Sequence, residues 1–585
     1  MVIKDFTGYR ESVDISKLPV NALAYPSQNV LIHKGKAYVR PGILNDGTDP
    51  TVATSILGEF VWKDSKSGEQ PLRVKGTALQ LKKSGVWFTI YSGISATAAR
   101  VRFATWVDSL STIIKKRVAF VDGSANLHQW NGAVGVVASY DAGTTTATLD
   151  SAATTGLLRG FDPGNVTPQT ALVIRFSGGA VATIEEKTYT NDGTSNTIVF
   201  SGALTNAPAL DDLIIAKPIA YTNLATVLKD DVCNYKNHLI VSTLTATTLY
   251  FSHVETFTVA AGWTFTVPGT KTFITAMQID LLGNYTAMAV RKDVLWVSTV
   301  DQWFKMTKVY SATEATDLGR WITIEDFPQG ERTGALPFAI AVSKGDIVFF
   351  SQNKILQKIT TIEVLGTDQI QNLSDEVEDL LLRLDETEMR VYYESRYVYM
   401  VFPNNSTMLM LDVFGEPERQ VEAFWQSPQI LPISYMSVID GVHYGHSNVR
   451  DETYELFTGS ADHLRTAAGA DAVTQINAIF AFGYGSGEHE LEYKAHTKIG
   501  ISGRMTDTTS CKVNQYFETD GAKASDEFTF TGLTAKTYDL ADDVSWAIVP
   551  WATRSWGGAD MSANAVKRFF AFSNYSAVSY FENSI

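Results

Sequence analysis

Charged residues and cysteine are scarce in this chain of 585 residues, and each scarcity excludes a class of protein. Charged residues make up 19% of the chain, below the usual quarter. This low share suits a chain that buries surface in its own core or against other subunits. Two cysteines, Cys233 and Cys511, are too few and too distant for a disulfide-stapled secreted framework. We expect both to be free and structural.

Positive charge is also in deficit, since 48 Lys and Arg face 63 Asp and Glu, which gives a net charge of −15. A grip on nucleic acid needs clustered Lys and Arg to neutralise phosphates. The one notable basic run, Lys115-Lys116-Arg117, lies beside a predicted strand, and we interpret it as a solvated surface patch. An acidic wall can instead repel phosphates, so that DNA slides past it. Composition does not separate that role from plain solubility.

Neither a signal peptide nor a membrane helix is evident in the sequence. The opening residues, Met1–Phe6, lack the apolar core of a signal peptide. No run approaches the roughly 18 apolar residues that a membrane helix needs. We therefore expect the chain to be made and folded in a cytoplasm, without insertion into a membrane.

Catalytic and metal-binding motifs are missing as well: no P-loop, dinucleotide-binding or nucleophile-elbow pattern occurs. Gly483–Gly487 has the wrong register for an elbow and is interpreted as a glycine-rich turn. His489-Glu490 lacks the second histidine of a zinc-protease helix, and His443 and His446 would point to opposite faces of a strand. We predict no catalytic residue, no cofactor-binding residue, no metal ligand and no cofactor.

A unit that recurs along the second half of the chain carries the fold prediction. Each copy consists of a strand, a tight polar turn and a second strand, which is the pattern of a hairpin. The first strands begin near Leu239, Ala289, Ile340, Tyr392 and Val438. The gaps between these positions are 50, 51, 52 and 46 residues. A strand-rich unit of roughly 40–50 residues cannot bury its own apolar face, and its repetition indicates a β-propeller.

The predicted strands are mostly continuous apolar runs, such as Ile347–Phe350 and Tyr397–Phe402. Such runs fit strands that are covered on both faces, as a blade between two other blades is. A β-sandwich also gives regular hairpins, but usually at roughly 8–12 residues and without a longer period. Earlier hairpins at Val74–Tyr91 and Arg117–Trp130 extend the pattern. We therefore predict an all-β chain built on a propeller of six or seven blades.

The chain divides into five predicted segments. Residues 1–60 form a leader, in which Val30–Ile32 or Ala37–Val39 could close the propeller by joining its last blade. Residues 61–131 and 219–460 form the two parts of the propeller. Residues 132–218 interrupt the repeat and are predicted to form an inserted small β-barrel or sandwich, since insertions are tolerated at exposed turns. Residues 461–585 are predicted to form a C-terminal β-sandwich or to hold one further blade.

One helix is predicted inside the propeller, with Ser374 as its N-cap and Asp375 and Glu376 near its positive end. Four apolar residues follow at helical spacing and form one face: Val377, Leu380, Leu381 and Leu384. This face would pack on the rim of the propeller or against a neighbouring subunit.

A glycosidase is the main enzymatic alternative for such a fold, because these enzymes use paired carboxylates. Thr190–Thr194 resembles the repeated box of sialidases, but it lacks the spacing and the Trp of that box. The carboxylates of Asp375, Glu376, Glu378 and Asp379 lie on the predicted helix and are interpreted as a solvated polar face. A carboxylate pair that only the fold brings together stays an open alternative.

The leader and two propeller strands carry short motifs of a known family. The leader contains Asp14–Pro19, Ser27–Val30 and Val39–Gly42, and the strand segments are Thr248–Ser252 and Ile347–Gln352. Together they resemble the tail nozzle (tail tubular protein B-like) proteins of short-tailed bacteriophages, in which an Asn-Val and then an Arg-Pro-Gly segment precede the propeller. The resemblance covers residues 10–500 loosely and little of the C-terminal region.

This resemblance implies a non-enzymatic structural protein of the virion, assembled into the tail in the host cytoplasm. In that family, copies form a homo-oligomeric ring, usually a hexamer, below the portal and adaptor proteins. Tail fibres or spikes attach around the ring, and genomic DNA leaves through an acidic channel without specific binding. The alternative function is a receptor-binding or polysaccharide-degrading phage tail protein.

Overall fold

A computed structural model gives the architecture of the chain. It describes residues 2–3, 6–11, 18–19, 21–46, 55–64, 68–83, 85–108, 115–150, 169–177, 179–191, 197–221, 228–236, 238–244, 246–251, 266–267, 271–272, 278–281, 283–308, 322–327, 333–343, 345–362, 367–415, 423–447, 452–459, 461–465, 471–474, 476–481, 500–504, 510–517, 524–531, 536–539, 566–574 and 580–584.

Strands dominate these residues. In chain order they are β1 (Val2–Ile3), β2 (Val30–His33), β3 (Lys36–Val39), β4 (Ile43–Asn45), β5 (Ile56–Asp64), β6 (Gly68–Lys75), β7 (Ala78–Lys83), β8 (Val86–Tyr91), β9 (Arg102–Asp108), β10 (Lys115–Val121), β11 (Leu127–Trp130), β12 (Val134–Asp141), β13 (Thr146–Leu149), β14 (Gln169–Ser177), β15 (Ala180–Asn191), β16 (Thr197–Phe200), β17 (Leu213–Ala216), β18 (Ile219–Tyr221), β19 (Asp231–Tyr235), β20 (His238–Ser242), β21 (Thr248–Phe251), β22 (Thr266–Val267), β23 (Lys271–Thr272), β24 (Gln278–Asp280), β25 (Tyr285–Arg291), β26 (Val294–Thr299), β27 (Trp303–Lys308), β28 (Ile322–Phe327), β29 (Ala335–Ser343), β30 (Asp346–Ser351), β31 (Leu356–Ile362), β32 (Thr367–Asn372), β33 (Arg390–Glu394), β34 (Tyr397–Phe402), β35 (Thr407–Asp412), β36 (Phe424–Trp425), β37 (Gln429–Ile430), β38 (Tyr435–Ile439), β39 (Val442–Ser447), β40 (Glu452–Leu456), β41 (Asp462–Arg465), β42 (Asp471–Thr474), β43 (Ile476–Ala481), β44 (Gly500–Arg504), β45 (Ser510–Phe517), β46 (Ala524–Thr531), β47 (Lys536–Asp539), β48 (Val566–Asn574) and β49 (Tyr580–Ser584).

Helical structure is short in the part of the chain that the structure describes. A 3₁₀ turn at Asp375–Val377 continues into helix α1 (Glu378–Arg383), and a second 3₁₀ turn covers Pro403–Asn405. Among these residues, no helix is long and apolar enough to cross a membrane.

The fold is a β-propeller with an inserted small β-domain and a C-terminal β-sandwich, as predicted. The described strands form seven sheets of the repeated kind, numbered here along the chain, and in sheet 7 the strands β4 and β41 pair in parallel. Their strand orders are β5-β6-β7-β8 for sheet 1, β9-β10-β11-β18 for sheet 2, β19-β20-β21-β24 for sheet 3, β25-β26-β27-β28 for sheet 4, β29-β30-β31-β32 for sheet 5, β33-β34-β35-β36 (with β37 also on β35) for sheet 6, and β38-β39-β40-β4-β41-β42 for sheet 7.

The repeat begins one strand earlier in its first copy than the sequence predicts. Leu239 lies in β20, the second strand of sheet 3, whereas the four later predicted positions lie in the first strands of sheets 4 to 7. The prediction missed β19 because Cys233-Asn234 interrupts its apolar pattern. Val232 and Tyr235 of this strand are nevertheless buried in the core.

The prediction of the closing strand was wrong. Ile43–Asn45 joins sheet 7, where Ile43 lies opposite Leu456 of β40. The predicted segments Val30–Ile32 and Ala37–Val39 pair with each other as a hairpin, whose second strand pairs with β49 in a different sheet. A strand of three residues gives too little pattern to be recognised beside two longer apolar runs.

The inserted domain is a closed barrel with the strand order β12-β13-β16-β15-β14-β17, placed in the chain between β11 and β18 of sheet 2. Alternate residues of its strands point in opposite directions. Ala171 and Val173 belong to the barrel's own core, whereas Leu172 and Ile174 belong to a core shared with sheets 1 and 2. The barrel is therefore packed against the sheet from which it emerges, not merely tethered to it.

The C-terminal strands form two sheets, β43-β48-β45-β46 and β2-β3-β49-β44-β47, with β1 paired to β49. The second sheet takes three strands from the leader, so the sandwich is not built from residues 461–585 alone. A further link is the antiparallel bridge between Gln28 and Ile479. The leader is thus part of a sheet and not only a lead-in to the propeller.

The predicted helix forms, and its four predicted apolar residues are all buried. The predicted cap was wrong, because the Ser374 hydroxyl makes no capping bond. It accepts a hydrogen bond from the Leu356 backbone N–H and donates one to Asn372. The helix is held within the chain, where Glu376 pairs with Arg10 at 2.8 Å.

Contacts divide the chain into two compact units. One unit comprises residues 47–353 and 437–441, and it contains the inserted barrel. The other comprises residues 1–46, 354–436 and 442–585, and it contains helix α1 and the C-terminal sheets.

Candidate functional site

Two buried polar clusters are the candidate sites, one in each unit. The first is the Arg40 cluster, defined by Asn29, Arg40, Gly42 and Asp462. Arg40 follows β3, and its side chain is 1% exposed. Its Nη1 donates to Asp462 Oδ1 at 2.8 Å and its Nη2 donates to Asp462 Oδ2 at 2.6 Å. This is the two-pronged geometry in which an arginine–carboxylate pair is strongest.

Asn29 supports the guanidinium from the other side. Its Oδ1 accepts a bond from Arg40 Nε at 3.1 Å and another from the Ile430 backbone N–H at 2.8 Å. Its Nδ2 donates to the Asn477 carbonyl at 2.8 Å. Asn29 has φ 57, a left-handed conformation that Asn tolerates better than most residues. One side chain therefore links the leader to both later segments.

Gly42 permits a close approach of two backbones in the same cluster. A Cβ on Gly42 would lie 2.0 Å from the Ala461 carbonyl oxygen, which is too close for any side chain. The Gly42 N–H donates to the Gly459 carbonyl at 3.0 Å, and the Gly42 carbonyl accepts from Thr458 at 2.9 Å. Strand β4 can enter sheet 7 only because this position is glycine.

The Arg40 cluster coincides with the leader motif described above. Asn29 of the Asn-Val pair and Arg40 and Gly42 of the Arg-Pro-Gly segment each make contacts that their residue type alone suits. In the sequence these residues stand out only because they match the motifs of the tail nozzle family, and that match gives them no physical role. No sequence pattern around Asp462 indicated its role, since its partner Arg40 lies 422 positions away.

The second candidate site is the His128 cluster, defined by Tyr91, Asp122, Ser124, His128 and Lys229. His128 Nε2 lies 3.2 Å from Asp122 Oδ2, and the side chains of both residues are 0% exposed. A carboxylate only accepts, so Nε2 carries the proton and Nδ1 accepts from the Tyr91 hydroxyl at 3.1 Å. The order tyrosine, histidine, aspartate is also that of a proton relay.

The surroundings of this relay do not suit a nucleophile. The ring of Phe120 stacks on the imidazole, with centroids 5.0 Å apart. Burial and the nearby Asp122 charge both raise the pKa of Tyr91, whereas an activated nucleophile needs a lower one. The cluster therefore fits a structural link better than a catalytic group.

Asp122 ties sheets 1 and 2 together. Its Oδ2 accepts the backbone N–H of Ser95, which follows β8, at 2.7 Å, and its Oδ1 accepts from Ser124. Burial would raise the pKa of Asp122, but hydrogen bonds from His128 and Ser124 outweigh it and hold that pKa well below its usual range. The carboxylate stays ionised because it is fully hydrogen-bonded.

Lys229 completes the cluster from the segment that precedes sheet 3. Its ammonium group donates to the Ala125 carbonyl. Burial lowers the pKa of Lys229 to about 8, although the charge of Asp122 acts in the opposite direction. The cluster therefore joins sheets 1 and 2 to the segment that leads into sheet 3, and the side chains of Asp122 and His128 at its centre are fully buried.

The histidines named in the sequence analysis serve separate contacts. His443 Nε2 lies 3.1 Å from the Tyr399 hydroxyl, and His446 Nδ1 lies 3.0 Å from the Thr453 hydroxyl. Burial lowers the pKa of His443. Among the described residues, no three His, Cys, Asp or Glu side chains are placed to hold a metal ion.

The structure describes only some of the other residues that the sequence analysis considered for catalysis or metal binding. Glu376 of the carboxylate cluster pairs with Arg10, and Asp375 accepts a hydrogen bond from Asn372. The glycine-rich turn at 483–487, the pair at 489–490 and residues 192–194 of the sialidase-like box lie outside the described residues.

Comparison with known proteins assigns no family to the chain. No family model matches it, and no curated protein matches it. Solved structures with a similar arrangement of strands include BBS1N in complex with ARL6DN, at 10% identity and a TM-score of 0.34, covering 72% of this chain and 97% of that one. Hsv2 of Kluyveromyces lactis matches at 9% identity and a TM-score of 0.25, covering 64% of this chain and 97% of that one.

A glutaminyl cyclase of Myxococcus xanthus also matches, at 11% identity and a TM-score of 0.20, covering 39% of this chain and 90% of that one. Likenesses of this size carry no argument about activity or partners.

Proposed function

We propose that this chain is a structural component of a bacteriophage tail, a nozzle or hub protein that forms a ring. The Arg40 cluster is the observation that carries the proposal. Three residues of the leader motif that resembles tail nozzle proteins, Asn29, Arg40 and Gly42, lie in the contacts that fasten β4 into sheet 7. A motif with a structural task of this kind supports the resemblance more strongly than matching letters alone.

The proposed mechanism is mechanical and electrostatic. Buried ion pairs and closed sheets give a stiff module, which suits a part built into a larger machine. The net charge of −15 suits a channel wall that repels phosphates, so that genomic DNA passes without specific binding. Within this proposal the ring is a homo-oligomer, most simply a hexamer, and no bond is made or broken.

The ring would lie in the virion tail, assembled in the host cytoplasm. Its partners would be the adaptor and portal proteins on one side and tail fibres or spikes around its rim. Loops that connect sheets are the usual carriers of such contacts, because a rigid scaffold positions them.

Native mass spectrometry and negative-stain images of the purified full chain test this proposal. We expect a closed ring of about six copies and no retardation of duplex DNA at physiological salt. A chain that stays monomeric at every concentration would overturn the proposal. Release of reducing sugar from host capsule or lipopolysaccharide would instead support a polysaccharide-degrading tail protein.

A further inference from the structure

The outer edge of strand β2 is bonded to side chains and not to another strand. Among the described strands, β2 ends the C-terminal sheet β2-β3-β49-β44-β47, and only β3 pairs with it. On its other side, the Ile32 N–H donates to Gln426 Oε1 at 2.5 Å, and the Ile32 carbonyl accepts from Gln426 Nε2 at 3.0 Å. The Val30 N–H donates to Ser427 Oγ at 2.9 Å, and the Val30 carbonyl accepts from the same hydroxyl at 2.9 Å.

A third side chain completes this contact. Gln429 Nε2 donates to the Val30 carbonyl at 3.1 Å and to the Ser427 carbonyl at 2.6 Å. We call Gln426, Ser427 and Gln429 the strand guard. The three residues are at most 2% exposed, and they lie in the same compact unit as β2. A buried backbone group needs a hydrogen-bonding partner, and the guard supplies one to each N–H and C=O on this edge.

A bulge in the outer part of sheet 6 brings the guard to β2. Trp425 of β36 lies opposite Leu411 of β35, and Gln429 of β37 lies opposite Met408 of the same strand. Four steps along the outer segment therefore match three steps along β35, which leaves one residue without a place in the ladder. Bulges re-aim side chains, and here the re-aimed side chains are those that bond β2.

The bonds of the guard imitate those of a neighbouring strand. The side-chain amide of Gln426 has the carbonyl acceptor and N–H donor of a peptide group. It bonds both the N–H and the C=O of Ile32, as the opposite residue of an antiparallel strand does in a hydrogen-bonded pair. Ser427 does the same for Val30 with one hydroxyl. A sheet edge can be ended without such matching, by a proline, a lysine or a very short strand.

The edge that the guard covers has the composition of a pairing strand. β2 reads Val-Leu-Ile-His, and an open apolar edge is a template on which another chain can pair. We propose that the strand guard occupies the edge of β2 in place of a strand and thereby prevents β2 from pairing with β2 of a second copy. Such a pair would be a two-fold dimer, in which the same edge of each copy meets. The inference does not rest on the proposed ring.

Ser427→Ala in the full chain tests the proposal, with Ser298→Ala as its matched control. Both serines are fully buried. Each hydroxyl accepts one backbone N–H and donates to one backbone carbonyl, from Val30 for Ser427 and from Ala335 and Thr299 for Ser298. Ser298 lies in β26, between two strands of sheet 4, so its loss opens no edge. Gln426→Met is a second guard variant, which removes both bonds to Ile32 and keeps the length of the side chain.

Hydrogen exchange of the peptide that contains β2, measured at low and high chain concentration, gives the readout. At low concentration we expect at least tenfold faster exchange in each guard variant than in the wild type, because the edge has lost its partners. At high concentration protection should return as copies pair, with a matching rise in mass by light scattering. The control should show neither change.

Three results would overturn the inference. One is unchanged exchange of β2 in both guard variants, and another is faster exchange that is the same at every concentration, which would leave the guard a purely internal contact. The third is equal association of Ser298→Ala, which would assign the association to lost stability. Thermal unfolding identifies a variant that fails to fold, in which case the other guard variant decides. These comparisons hold whether the wild type forms a ring or not, so the two proposals can fail separately.

Discussion

Arg40 and Asp462 are joined by two parallel hydrogen bonds of 2.8 and 2.6 Å, although 422 positions separate them in the chain. The pair fastens the segment just before β4 to the first residue of β41, and both strands belong to sheet 7. Its guanidinium is also held by Asn29. One buried guanidinium therefore connects Asn29 of the leader with Asp462.

Replacing Arg40 by alanine should destabilise the chain severely. The change leaves the Asp462 carboxylate without its cation, and breaking a buried pair in this way costs about 3–5 kcal/mol. Urea unfolding monitored by tryptophan fluorescence measures the loss. The matched control is Lys63→Met, which breaks the pair with Glu69 at a lysine that is 65% exposed and should cost at most about 1 kcal/mol. Equal losses in the two variants would contradict the role given to Arg40.

Replacing Gly42 by alanine should disturb the entry of β4 into sheet 7. The new methyl group would lie 2.0 Å from the Ala461 carbonyl oxygen, so one backbone must move. We expect a lower melting temperature and faster hydrogen exchange at Ile43–Asn45. Gly202→Ala is the control, because its Cβ would meet only the Lys187 side chain at 3.8 Å. An unchanged exchange rate in the Gly42 variant would show that the backbones separate without cost.

Asp122 should make the chain sensitive to acid. Hydrogen bonds hold its pKa in the folded state below the unfolded value of about 3.9, despite its burial. Its stabilising effect is therefore complete above about pH 5 and declines as the pH falls through and below that value. The difference in urea midpoint between wild type and Asp122→Asn should shrink between about pH 5 and about pH 2. A constant difference would mean that folding does not perturb this carboxyl group.

Lys229 should make the stability depend on pH in the alkaline range. Its pKa is lowered to about 8 by burial, so the folded chain releases this proton before the unfolded chain does. The Lys229 contribution to stability should rise from about pH 8 towards about pH 10. The buried Cys233 thiol, whose pKa is raised by burial, acts in the opposite direction, so the rise is measured as the difference between the wild type and Lys229→Met. The measurement ends at about pH 10, the ordinary pKa of tyrosine. Burial raises the pKa of Tyr189 in the folded chain. At higher pH the unfolded chain therefore loses this tyrosine proton first, which lowers the stability. A rise that persists in the variant would assign it to another group.

Two neighbouring leucines of helix α1 differ in burial, so their alanine substitutions can be compared directly. Leu381 is fully buried, whereas Leu382 is 56% exposed. Leu381→Ala should cost about 2–5 kcal/mol through lost burial and the cavity it leaves. Leu382→Ala should change the free energy of unfolding by at most about 0.5 kcal/mol. If Leu382→Ala were the costlier change in urea unfolding, the assignment of the helix face would be wrong.

Short sequence patterns predicted those strands and turns whose formation depends only on residues a few positions apart. Tyr397–Phe402 forms a strand with the predicted bounds and Ile347–Phe350 lies within β30, because a continuous apolar run and its flanking turn residues are recognised within a few positions. The tight turn at Asp440-Gly441 is equally local, since its backbone preference needs no distant partner.

Long-range pairing could not be predicted in this way. Nothing near β4 shows that it joins β40, and nothing near Ala37 shows that it lies opposite Phe581. The His128 cluster could not be predicted because Tyr91 and Lys229 reach it from distant parts of the chain. Asp122 also stabilises the turn of its own hairpin, since its carboxylate accepts a hydrogen bond from the Ser124 backbone N–H.

The pairing of β4 has a consequence for the chain during synthesis. Asn45 and Glu452, which meet in sheet 7, are 407 positions apart. A ribosome adding about 5–20 residues per second needs about 20–80 seconds to cover that distance. For that time β4 has no partner strand, and its open edge is exposed to other nascent chains. Delayed partnering of this kind makes the crowded polysome, rather than the finished protein, the stage most prone to aggregation.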